Sequence, residues 1–102
     1  MVDYAFEAEV IYWRGPAPFL FARLPAAVSA SIAAIADRVS YGWGCIPVRA
    51  QIGTADFTTS LFPKDGIYLL PLKVAVRKAI GAVDVGMPLT VTMQIAPKAP
   101  DI

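Results

Sequence analysis

Lys73 and Arg77 stand four residues apart, and on a helix that spacing puts both cations on one side. Arg49 or Lys64 from nearby turns, with the hydroxyls of Thr59 and Ser60, could join them in holding an anion. Arginine offers a planar fork suited to carboxylate or phosphate, and lysine a compact point charge. The plainer alternative is structural: cations near a helix's carboxyl end favour its dipole, and a lysine stem covers apolar surface. Trp43, flanked by Gly42 and Gly44, could border a pocket and stack on a base or ring, or it could simply close one end of a barrel. Arg49, Ser60, Lys73, Arg77 and Trp43 are therefore the candidate ligand-binding residues.

Other chemistries are scarcer. The chain has no histidine and a single cysteine, Cys45, which removes imidazole catalysis, intramolecular disulfides and zinc sites built from Cys and His. Cys45 has no histidine to activate it and reads as a buried thiol acting as a small hydrophobe. Glu7 and Glu9 share one face of a strand about 7 Å apart, a spacing at which paired carboxylates can do acid–base work on a sugar. Catalysis would need one of them buried, with a raised pKa, and their face continues from Asp3 and Ala5 as a solvated one. The run Thr58-Thr59-Ser60 is explained by strand propensity and cross-strand hydroxyl pairs, and no Ser-x-x-Lys motif accompanies it. There is no P-loop, no G-x-G-x-x-G and no EF-hand loop among the eight scattered carboxylates, so no catalytic residue, metal or cofactor is expected.

The elements that must position these residues follow from patterning. At 102 residues the chain fits one domain, and 57% apolar against 17% charged residues, with a mean hydropathy of +0.57, implies a well-filled core. From Asp3 to Trp13, Tyr4, Phe6, Ala8, Val10 and Tyr12 alternate with polar or small residues, the period of a strand. Phe19 to Leu24 is a second strand, apolar on both sides. Val28, Ile32, Ile35 and Val39 step by four, three and four, predicting a helix over about 25–38, with Ser29, Ser31 and Asp37 off its apolar stripe. Ile46–Ile52, Phe57–Phe62, Ile67–Leu70 and Leu89–Ile95 make four more strands. Turns at 53–56 and at Pro63-Lys64-Asp65-Gly66 separate the middle ones, with proline presetting the second turn and glycine accepting positive φ. A short helix over about 72–80 follows Pro71 and stops at Gly81. Six short strands and two helices predict a mainly β fold, a small six-stranded closed or split β-barrel, because closure hides edges that such apolar strands could not safely expose. The barrel domain is expected over 1–96, with 97–102 a frayed tail.

Charge and hydropathy bound the setting. The longest uncharged stretches, Leu24–Ala36 and Val85–Pro97, are thirteen residues each, short of the roughly 18–20 that a spanning helix needs. The start carries acids where a signal peptide would carry lysines, so a cytoplasmic location is expected. A net charge of +1 is far from the basic excess typical of nucleic-acid binders.

Several short motifs also look familiar together. Gly42-Trp43-Gly44, Ile46-Pro47-Val48, Ile52-Gly53, Thr59-Ser60-Leu61-Phe62-Pro63, Leu70-Pro71-Leu72-Lys73 and Val76-Arg77 resemble the Domain of Unknown Function 1905 family. Tyr4-x-Phe6-x-Ala8, Phe21 and Leu24-Pro25 extend the likeness over roughly residues 4–95. These are small bacterial and archaeal proteins, and the resemblance implies a small β-barrel with helical excursions; it lends no activity. Where that family usually has Gly-Asp before the last strand, this chain has Gly86-Met87 with Asp84 two residues earlier, which implies a looser or shifted turn. More weakly, Leu70-Pro71, Arg77, Gly81 and Gly86 resemble the hairpin of AbrB-type swapped-hairpin barrels, which are dimeric DNA-binding proteins.

The functional expectation is a non-catalytic binding module for an anionic small molecule or a protein partner. A dimeric nucleic-acid-binding barrel is the alternative, and an enzyme using carboxylate or lysine chemistry ranks last. No membrane partner is expected, and the high apolarity leaves self-association open.

Overall fold

The computed structural model describes residues 3–14, 18–36, 45–81 and 83–95. In chain order the elements are β1 (Asp3–Arg14), β2 (Pro18–Arg23), α1 (Ala26–Ala33), β3 (Ile46–Ile52), β4 (Ala55–Lys64), β5 (Ile67–Pro71), α2 (Val74–Ile80) and β6 (Pro88–Ile95). The six strands form one closed barrel in the order β1-β2-β5-β4-β3-β6, every neighbouring pair antiparallel. The β1–β6 ladder, Asp3↔Gln94 through Glu9↔Pro88, joins the first strand to the last. Both lateral edges are thereby used, which satisfies backbone groups that an open sheet would leave unpaired.

Alternation sets what fills the barrel. Ala8 and Val10 on β1, Ala22 on β2, and Ile46, Val48, Ala50 and Ile52 on β3 point inward. They meet Leu61 of β4, Leu70 of β5, and Leu89, Val91, Met93 and Ile95 of β6 in a single core. Along β6 every second residue is buried and its neighbour exposed, as a strand with one dry and one wet face requires. Ile32 of α1 and Val76 of α2 add to the same core.

Several element boundaries differ from the periodicity. The predicted helix over 25–38 is α1, Ala26–Ala33; residues 37 and 38 lie outside the described residues. The second helix begins at Val74 and not at 72, because the Leu72 N–H donates to the Leu20 carbonyl at 3.0 Å and Lys73 stays extended. The turn predicted over 53–56 is only Gly53-Thr54, since Ile52 pairs with Ala55 and β4 starts there. Pro63 sits in β4 opposite Tyr68, so the next turn is Asp65-Gly66 alone, both with positive φ, as a two-residue hairpin demands.

Ser29, expected off the apolar stripe, is fully buried. Its hydroxyl accepts the Tyr68 backbone N–H at 3.0 Å, tying α1 to β5 and satisfying a donor at the barrel end. The segment before β6 is firmly stitched. Met87 N–H donates to the Asp84 carbonyl, closing a turn with Gly86 at φ 90°; Gly86 N–H donates to the Val10 carbonyl, and Val10 N–H to the Met87 carbonyl. An Asp side chain is not needed to close it. The expected domain limits and the tail over 97–102 touch residues outside the described ones.

Candidate functional site

The outer face of β2, β5 and β4 is not a wet face. Strand parity turns Phe21, Leu69, Pro71 and Phe62 outward, in the registers Phe21↔Pro71 and Phe62↔Leu69. Yet Phe21 is only 1% and Leu69 2% exposed. Phe21 and Phe62 meet edge to face, ring centroids 6.3 Å apart and planes at 72°, an arrangement favoured by the ring quadrupoles. This outer apolar layer explains why Phe19–Leu24 reads as apolar on both sides.

A groove of about 450 Å³ opens on this layer, within the size range of small-ligand sites. Its walls are Phe21, Phe62 and Pro71, with Thr59, Ser60 and Cys45 beside them and Lys73 bringing the charge. Burial pushes the Cys45 thiol above its ordinary pKa, so it stays protonated and weakly nucleophilic at neutral pH. Lys73 stands immediately before α2, at the amino end, where the helix dipole disfavours a cation. The basic residues that suit the dipole are Arg77 and Lys78 in the last turn. Among the described residues Lys73 has no acidic partner within ion-pair distance.

Two of the five candidate residues, Ser60 and Lys73, thus share one concavity. Arg49 lies elsewhere, on the outer face of β3. Its Nε and Nη2 donate to the two oxygens of Asp56 at 3.0 and 2.8 Å, a bidentate pair with half-open side chains, 60% and 38% exposed. The guanidinium holds the Asp56 carboxyl below the usual carboxylate range, and Asp56 in turn keeps Arg49 more firmly protonated. Arg77 folds back on its own helix start, Nε donating to the Leu72 carbonyl at 3.1 Å, and does not line the groove. Trp43 falls outside the described residues. Lys64 lies 3.6 Å from Asp65 beside the hairpin turn.

The aromatic walls were not among the residues singled out from sequence. Their signal was present in the two-sided apolarity of β2 and in Phe62 having the same parity as Ser60. Cavity walls built from outward residues are visible only once the neighbouring strand is known. Among the described residues no three Cys, Asp or Glu side chains gather as a metal site, and no helix is long and apolar enough to cross a membrane.

No curated protein matches the chain. The family model of the Domain of unknown function DUF1905 matches residues 6–93, from within β1 to within β6, and so includes β2 to β5, both helices and most of the two end strands. The chain belongs to the DUF1905 family, and it builds that domain as a closed six-stranded antiparallel β-barrel.

Proposed function

We propose that this barrel is a non-catalytic binding module for a small anion with an apolar body. The charged head sits at Lys73, and the body lies against Phe21, Phe62 and Pro71. The observation that carries the reading is an ammonium without an acidic partner among the described residues, placed at an aromatic-walled groove and at the helix end its dipole disfavours. An unfavourably placed cation is stabilised when a carboxylate or phosphate joins it, and the apolar walls add burial of ligand surface. Burial raises the pKa of the Cys45 thiol in the groove and so disfavours it as a nucleophile, which supports binding over turnover.

Calorimetric titration with 2-naphthoate and its neutral counterpart 2-naphthylmethanol tests this. The naphthoate is expected to bind the wild type roughly tenfold more tightly than either the alcohol binds it or Lys73→Ala binds naphthoate, the loss of one charge-assisted hydrogen bond. Equal affinities in all three titrations would reject the site. Closure of the barrel within one chain supports the binding-module reading over a swapped-hairpin dimer, since each described strand already has two partners. Retardation of mixed-sequence duplex DNA that fades steeply with salt would reverse that preference.

A further inference from the structure

A second groove, of about 540 Å³, lies on the other half of the ring, over β1, β6 and β3. Two cross-strand rows build its outer face. One runs Ala5, Thr92, Gln51, Asp56, and the next sets Gln94 beside Arg49. The small Ala5 leaves room, and the polar side chains around it are held by one another. Thr92 Oγ1 donates to Gln51 Oε1 at 3.3 Å, Gln51 Nε2 reaches Asp56 Oδ2 at 3.5 Å, and Arg49 grips the same carboxylate with two nitrogens.

The chemistry of this face differs from that of the Lys73 groove. Arg49 and Asp56 cancel each other's charge, so a free anion meets the carboxylate and a free cation meets the guanidinium. Arg49 Nη1 keeps its two N–H donors, and the Gln94 amide offers donor and acceptor together. Adjacent donor and acceptor sites on a neutral, preordered surface match adjacent hydroxyl groups, each of which donates and accepts at once. We propose that this groove is a binding site for a neutral polyhydroxylated ligand, a mono- or disaccharide by chemical class. Arg49 and Gln94 donate to the hydroxyls, Gln94 accepts from them, and Asp56, with Gln51 and Thr92 beside it, holds Arg49 in place.

Nitrogen–proton correlation spectra recorded during titration with glucose, maltose and cellobiose, each to tens of millimolar, test the proposal. Saturable shifts are expected at the backbone amides of Ala5, Gln51, Thr92 and Gln94 for at least one sugar. Gln94→Ala is expected to weaken that response about tenfold, the cost of a lost polar contact, Asp56→Asn to weaken it by loosening Arg49, and Lys73→Ala to leave it unchanged. Gln94 is exposed on the outer face, so its replacement leaves the fold intact and keeps the test decisive if Asp56→Asn disturbs β4. The absence of a saturable response to every sugar would overturn the proposal. So would a response that Gln94→Ala leaves unaltered, or one reproduced by acetate or inorganic phosphate.

Discussion

Asp56 has a pH dependence that traces to an identified partner. Hydrogen bonds from Arg49 depress its folded-state pKa, so its contribution to stability is present above the unfolded carboxylate value and is lost as the pH falls through the lower folded value. Wild type and Asp56→Asn, compared by urea denaturation at several pH values, should differ near neutrality and converge below about pH 4, where the unfolded carboxyl protonates. A gap that persists in strong acid would mean that the pair is not its source. Ser29 is the buried counterpart. Ser29→Ala leaves the Tyr68 N–H without its acceptor and should cost about 1–3 kcal/mol in denaturant unfolding. Neither partnership was legible in the sequence. Arg49 and Asp56 are seven residues apart across a hairpin whose register sets their diagonal approach, and Ser29 looked polar and therefore outward. At this scale the sequence names Ser60 and Lys73, which line one groove, but gives no sign that Arg77 turns away.

Hairpins and helix starts decide where those residues stand. The β4–β5 connection is two residues, Asp65 at φ 52° and Gly66 at φ 79°, and the second of these suits a residue without a Cβ. Gly66→Ala meets no neighbouring atom but forces alanine into the left-handed region, so a loss of about 1–2 kcal/mol is expected from its urea midpoint, with Gly66→Asn closer to wild type. A neutral effect would show that the turn adopts another geometry. The sequence placed the six strands and both helices: alternation marks β1, β3 and β6, whereas β2 and β5, dry on both faces, read from continuous apolar runs. It misplaced Pro63 and the start of α2. Proline at a strand end and proline before a turn look alike in one dimension, and Leu72 is kept out of the helix by a bond to β2 that no local pattern reveals.

At the scale of the molecule, closure divides the outer surface into two dissimilar halves. One groove is walled by the outward Phe21, Phe62 and Pro71 and bordered by Lys73; the other, over β1, β6 and β3, is polar, with Arg49 paired to Asp56. Inward side chains of all six strands pack into one core, and both grooves lie over outward residues. The central claim is the first of them, a greasy wall with one cation. It is tested most directly by intermolecular proton contacts in the complex with 2-naphthoate. Contacts from the naphthalene ring to the ring protons of Phe21 and Phe62, with the Lys73 methylene protons nearest the carboxylate, are the expected result. Contacts confined to the face of β1, β6 and β3, or the same contacts at the same strength in Lys73→Ala, would contradict it.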